Sequence, residues 1–177
     1  MKYGQWLNEW LDGYVKPSAK PKTYNRYSEI IDGHIKDRLG EFELSELTPI
    51  VLQRFASELS ARGNLVTGAG LSANSVNGII SVVKSSLKAA HALSLTETFA
   101  AGKIKRPRSD ASRVTCFTVG EQRKIERAAV AHCKPKMFGI VLCLYTGLRI
   151  GELLALEWSD VDFNDCTISV SKTRFDG

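Results

Sequence analysis

The sequence predicts a mainly α-helical protein in two parts: an N-terminal helical bundle, then the first helices and a strand of a mixed α+β domain. Three observations carry this. Apolar residues recur at three- and four-residue spacing in four segments of the first ninety or so residues, each segment having one apolar face. The connections between them are short, which suits a four-helix bundle. Strand-like alternation comes late, at Thr167-Ile168-Ser169-Val170. A chain of 177 residues is long enough for one large domain or two small ones.

In chain order, Tyr3, Trp6, Leu7, Trp10, Leu11 and Tyr14 form the stripe of a first helix. A polar break bounded by Pro17 and Pro21 follows. Tyr24, Tyr27, Ile31 and Ile35 mark a second helix ending near Leu39 and Gly40. These aromatic stripes read as core. Thr48-Pro49 opens a third helix, with a capping threonine and proline at the first helical position. Leu52, Phe55, Ala56 and Leu59 form its inner face, and Gly63 fits just past its end. Residues 64–70 read as a loose loop. Ser72 then caps a long helix to about Ala92, with Val76, Ile79, Ile80, Val83 and Leu87 inward. Residues 1–95 make the bundle, and the polar, basic residues 96–114 read as a linker.

Residues 115–177 begin the second part. Thr118-Val119-Gly120-Glu121 is a capping box. One helix follows it, another runs from Pro135 to Tyr145, and a third carries Arg149 to about Glu157. Residues 159–165 turn the chain into the strand. Asp176-Gly177 is a hairpin-turn signal with no partner strand after it, so the chain is expected to be a fragment cut inside its second domain.

A hydrophobic content of 44% supports real cores. The longest apolar runs, such as 140–145, are far too short to cross a bilayer, and Lys2 is followed by an amphipathic pattern rather than a signal-peptide core. A cytoplasmic protein is expected. Cys116, Cys133, Cys143 and Cys166 fall at irregular intervals with no C-x-x-C pair, which predicts buried free thiols and no metal site. The net charge is +5. The window 84–113 holds seven basic and two acidic residues and so accounts for all of it. A concentrated basic segment suits a polyanion such as DNA, and a solvated charged linker is the plainer alternative.

The densest signal is Thr146-Gly147-Leu148-Arg149-Ile150-Gly151-Glu152-Leu153-Leu154-Ala155-Leu156, then Trp158 and Asp160. It sets one arginine at the mouth of an apolar helix, where a desolvated charge is costly unless an anion binds it. A guanidinium fork fits a phosphate. Spacing equally allows a salt bridge from Arg149 to Glu152, three residues on.

The eighteen residues TGLRIGELLALEWSDVDF resemble the first active-site arginine motif of the tyrosine recombinases, the phage-integrase family. The helical part resembles that family's SAM-like core-binding domain. The resemblance implies DNA cleavage by a tyrosine hydroxyl, with no metal or nucleotide cofactor and with fixed cations stabilising the transferring phosphoryl group. Arg149 then matches the first catalytic arginine, and Glu152 would hold it in place. Lys172 matches the hairpin lysine that serves as general acid, although spacing alone leaves it an ordinary surface lysine. The family's histidine-x-x-arginine motif and nucleophilic tyrosine have no counterpart, since Tyr3, Tyr14, Tyr24, Tyr27 and Tyr145 all sit in helical apolar patterns.

The implied partner is double-stranded DNA, clamped between the two domains. Candidate contacts are Lys20, Lys22, Thr23 and Arg26 on the second helix, and Ser72, Asn74, Ser75, Asn77, Lys84 and Lys88 on the fourth. Lys103, Lys105, Arg106 and Arg108 would follow the backbone along the linker. The resemblance also implies a full-length protein that integrates or excises a mobile element as a homotetramer on DNA, and a fragment that is monomeric and inactive by itself. Because the chain opens directly on the core-binding pattern, the resemblance leads to the expectation that the small arm-binding domain many such integrases carry is either absent or removed. Two other readings stay open: a non-catalytic truncated protein that occupies recombination sites, and a helical protein–protein adaptor.

Overall fold

The computed structural model describes residues 1–108, 115–132 and 134–174. The chain divides into two compact units, Met1–Ser112 and Arg113–Gly177.

In the first unit, α1 is regular over Tyr3–Trp10, widens through a π-helical turn at Leu11–Val15 and closes with Lys16–Ser18. The proline-bounded break of the sequence therefore starts later than expected. Pro17 lies inside the last turn, where it has no N–H to donate and its ring would crowd a regular helix. The wide turn precedes it, with Lys16 N–H donating to the Leu11 carbonyl. α2 repeats this layout: Pro21–Ile30, a π-helical turn at Ile31–Ile35, then Lys36–Leu39. Its end is tied to the start of α1, where Tyr3 N–H donates to Phe42 O at 2.8 Å and Gly4 N–H to Gly40 O at 2.9 Å. These bonds satisfy donors that a helix start leaves free.

α3 spans Pro49–Arg62 with Thr48 as its cap, the hydroxyl accepting from Val51 N–H. α4 spans Ala73–Ala92, and Ser72 Oγ accepts from Ser75 N–H. The loop between them is more ordered than its composition suggests. Asn64 Oδ1 accepts from the N–H groups of Val66 and Thr67, and Asn64 N–H bonds Ala69 O. This side-chain turn closes a loop whose backbone could otherwise wander.

The core gathers the inner faces of all four helices: Trp6, Leu7 and Trp10 from α1, Ile31 and Ile35 from α2, Leu52 and Leu59 from α3, and Val76, Ile80, Val83 and Leu87 from α4. Burying each such side chain contributes about 1.5–3 kcal/mol. Tyr14, placed on the inner stripe by its spacing, is half exposed and leans its ring on Trp6 instead. Among the described residues one polar side chain is fully enclosed, Ser86 of α4. Its hydroxyl donates to Val83 O at 3.0 Å and accepts from Tyr3 Oη at 2.7 Å. Trp6 Nε1 donates to Ser86 O at 3.0 Å. Burial pushes the Tyr3 hydroxyl's pKa up, so it stays a protonated donor.

The segment read as a linker begins as part of this unit. A 3-10 turn at Ala100–Lys103 places Ala100, Ala101 and Ile104 in the core. The polar look of 96–114 hid three small or apolar anchors among its charges.

In the second unit, α5 spans Val119–His132 behind the expected capping box, with Glu121 N–H to Thr118 Oγ1 and Thr118 N–H to Glu121 Oε2. α6 spans Pro135–Thr146, and α7 spans Ile150–Leu153. α7 stops well before Glu157, because its last bonds tighten to three-residue spacing, Ala155 N–H to Glu152 O and Leu156 N–H to Leu153 O. β1 (Val161–Asp162) pairs antiparallel with β2 (Thr167–Ile168). β1 falls where the sequence predicts a turn, and β2 is two residues shorter than the strand predicted over 167–170. Asp162 Oδ1 closes the hairpin by accepting from Asn164 and Asp165 N–H. Cys116 and Cys166 are exposed free thiols, not buried ones, since they sit before α5 and in the hairpin turn; Cys143 is half-buried. Cys133 and the Asp176-Gly177 turn signal lie outside the described residues. Among the described residues, no helix is long and apolar enough to cross a membrane.

The enclosed hydroxyls set an ordering that urea denaturation can check. Ser86→Ala strands the Tyr3 hydroxyl and is expected to cost about 1–3 kcal/mol. Tyr3→Phe leaves Ser86 still bonded to Val83, so its cost is smaller, about 0.5–1.5 kcal/mol. The double variant should be no less stable than Ser86→Ala alone.

Candidate nucleic-acid interface

The Tyr3, Trp6 and Ser86 bonds fix which side of α4 faces in. The opposite side then carries Asn77, Ser81, Lys84 and Lys88, spaced at three and four residues. Residues 104–107 run across this side as a strap. Asn77 Nδ2 donates to Pro107 O at 3.1 Å, and Arg106 Nη2 donates to Ser81 Oγ at 3.1 Å. From α3, the Gln53 amide grips the strap's backbone twice: it accepts from Lys105 N–H at 2.9 Å and donates to Lys105 O at 3.4 Å. From α2, Arg26 reaches over Gly78, where an added Cβ would stand 3.3 Å from its Nη2.

Lys84 and Arg106 thus stand close together on this side of α4, and Arg26 lies against the same helix at Gly78. Burial and the nearby Arg106 charge hold the Lys84 amine below its usual pKa. Crowded like charges raise the energy of a protein unless an anion is there to meet them.

The other candidate residues are placed as follows. Lys20 precedes the first turn of α2, exposed, with Lys22 and Thr23 in that turn. Asn74 and Ser75 lie in the exposed first turn of α4, where Ser72 and Ser75 are engaged as a helix cap. Lys103 ends the 3-10 turn, and Arg108 is exposed just beyond the strap. Asn77 spends its amide N–H on the strap rather than offering it to a ligand. Sequence reasoning missed Ser81 and Gln53. Ser81 was legible on the 77, 84 and 88 stripe, but nothing local marks Gln53, whose partner is 52 residues away.

The arginine motif of the second unit begins at Gly147, whose φ of 73° ends α6 in the left-handed region that glycine adopts freely. Arg149 is the N-cap residue of α7. Glu152 binds it twice, accepting from Arg149 N–H at 2.9 Å and from Nη1 at 3.0 Å. Those two bonds, the backbone one first, hold the Glu152 carboxyl below the usual carboxylate range. The salt-bridge reading of the spacing is therefore realised. The Arg149 side chain is 85% exposed, so the expected cost of a charge buried between apolar helices does not arise in these residues.

Residues after β2 pass close along α7. Arg174 N–H donates to Gly151 O at 2.8 Å, and a Cβ on Gly151 would stand 2.7 Å from Thr173 Oγ1. Next to this crossing, Lys172 Nζ meets Glu157 Oε2 at 3.4 Å, with both side chains exposed. Each tyrosine has a structural engagement: Tyr3 with Ser86, Tyr14 with Trp6, Tyr24 with Asp12, Tyr27 with Trp10 and Tyr145 with Glu126. Among the described residues no group of three His, Cys, Asp or Glu side chains gathers to hold a metal ion.

Two family models match the chain. One described as the phage integrase N-terminal SAM-like domain covers residues 2–60, and one described as the phage integrase family covers residues 117–176. A curated relative, "Tyrosine recombinase XerC-like" of Caldanaerobacter subterraneus subsp. tengcongensis, is 27% identical over 96% of this chain and 43% of its own length. Among solved structures, a lambda integrase dimer bound to a core site matches 92% of this chain and 56% of its own, with 24% identity and a TM-score of 0.73. The Tn1549 transposon integrase in complex with circular intermediate DNA matches 98% of this chain and 55% of its own, with 20% identity and a TM-score of 0.75. The chain thus spans less than half the length of the curated relative. With a mainly helical first unit and the arginine motif at the start of α7, the chain belongs to the tyrosine recombinase family, the phage integrases.

Proposed function

We propose that this chain is the DNA-binding, N-terminal portion of an integrase-type site-specific recombinase. Residues 1–95 and the basic segment to 114 grip duplex DNA, and residues 115–177 supply the first part of the catalytic domain. The observation that carries the reading is the pairing of Lys84 and Arg106 on the outward face of α4, with Arg26 against the same helix at Gly78. Such a face lowers its own energy by meeting phosphates and releasing counterions. It is further supported by the similar lambda and Tn1549 integrase structures, which are bound to DNA.

In the full-length protein, Arg149 would neutralise a non-bridging oxygen of the scissile phosphate, with the start of α7 offering free backbone N–H groups nearby. Glu152 would fix the guanidinium's direction. Lys172 would protonate the leaving 5′ oxygen, exchanging its Glu157 contact for the substrate. The nucleophile would come from outside residues 1–177, since none of the five tyrosines stands at a position matching the family's nucleophile. Strand breakage and rejoining would serve the integration or excision of a mobile element, carried out by a homotetramer on DNA, as in the similar structure of a lambda integrase tetramer bound to a Holliday junction.

Anisotropy of a labelled duplex, titrated across a series of salt concentrations, tests the binding face. The chain should bind, and Lys84→Ala and Arg106→Ala should each reduce the slope of log Kd against log salt by about one. Salt-insensitive binding, or no binding, would contradict the reading.

Incubation with a nicked duplex should leave no covalent protein–DNA adduct on a denaturing gel; an adduct would place a nucleophile among the five tyrosines. Gly151→Ala should shift the 173–174 backbone and speed hydrogen exchange of the Arg174 amide by about tenfold, the scale of one lost hydrogen bond. Unchanged exchange would mean that the crossing does not depend on the missing Cβ.

A further inference from the structure

We propose that Gln53 is a positioning residue that holds residues 104–107 in a pre-set path across the helical unit and so aims Lys105 and Arg106 at a bound polyanion. This rests on the DNA-binding reading for its purpose, though not for its mechanics.

The segment has every reason to be loose. It is polar and basic, and the Arg106 charge stands close enough to Lys84 to disfavour its protonated form. Yet its backbone is held at three points. Gln53 takes both the N–H and the carbonyl of Lys105, a two-bond grip that a primary amide can give and that fixes the direction of the peptide as well as its position. Asn77 holds the Pro107 carbonyl. Ile104 is buried in the core just upstream. Between α3 and the strap lies an open groove of about 480 Å³, lined by Ser57, Ser60, Lys105 and Pro107 among others. The strap is therefore suspended by its bonds at this point rather than packed on a filled surface.

Neither Gln53 nor Asn77 carries charge, so their contribution is conformational. A free linker must lose backbone freedom when it binds DNA. A strap already tied to α3 and α4 has lost it on folding, and binding then keeps the full electrostatic gain. Pro107 adds to this by fixing its own φ.

Two readings on the same purified chain test this. First, without DNA, the Lys105 amide in wild type should exchange with solvent at least about tenfold more slowly than in Gln53→Ala, the scale of a single hydrogen bond. Gln53→Met, which keeps the stem's volume and removes both bonds, should behave like Gln53→Ala. Second, both variants should bind duplex DNA more weakly by about fivefold to thirtyfold, the cost of ordering the backbone of one residue. Their salt slope should match wild type because no cation has been removed, whereas Arg106→Ala lowers it.

An unprotected Lys105 amide in wild type, or one unaffected by either variant, would overturn the grip. Lost protection with unchanged DNA affinity would overturn the positioning role. If wild type bound no DNA, the DNA reading itself would fall, the aiming role would fall with it, and the amide result would still decide the grip.

Discussion

The enclosed bonds among Tyr3, Trp6 and Ser86 are the constraint on which the first unit depends. Apolar packing alone is tolerant of rotation, since a helix with a broad inner face can turn without losing much contact. Directional bonds are not tolerant in this way: a buried hydroxyl or indole N–H that loses its partner costs free energy on its own. By tying two aromatic side chains of α1 to one position of α4, the bundle fixes the rotation of α4. That rotation places Asn77, Ser81, Lys84 and Lys88 outward, and the cationic face follows from it.

A second layer is built on that face. The strap of residues 104–107 adds Lys105 and Arg106 to the charges of α2 and α4, and it is uncharged amides that hold it there. Scaffold and charge are thus separated. Gln53 and Asn77 give geometry, while Arg26, Lys84 and Arg106 give attraction. The second unit shows the same division: Glu152 sets the direction of Arg149, and Gly151 opens the space through which the segment bearing Lys172 passes.

Much of this was legible in the sequence, because it was local. Thr48-Pro49, Ser72 and the Thr118–Glu121 box each announce a helix start through bonds made within three residues. The inner faces of α3 and α4 follow directly from periodicity. The arginine motif carries its own glycine stop and its own glutamate partner within six residues. What was missed was long-range or conformational. Nothing near Gln53 points to Lys105, and nothing near Ser86 points to Tyr3. The segment 96–114 reads as a linker because its charges outnumber Ala100, Ala101 and Ile104, which anchor residues 100–104 in the core. β1 was hidden because Val161-Asp162 is too short to show alternation, and the turn after it depends on the Asp162 side chain. The burial expected around Arg149 was inferred from apolar neighbours in sequence, and those neighbours do not enclose it in the described residues.

The most direct test of the central claim is a titration of duplex DNA into isotopically labelled chain, following backbone amide shifts residue by residue. The account predicts that shifts concentrate on the outward positions of 77–88 and on 103–108, while the α1 positions 3–11 on the far side of α4 stay still. Shifts confined to other surfaces, with 77–88 and 103–108 unmoved, would contradict it.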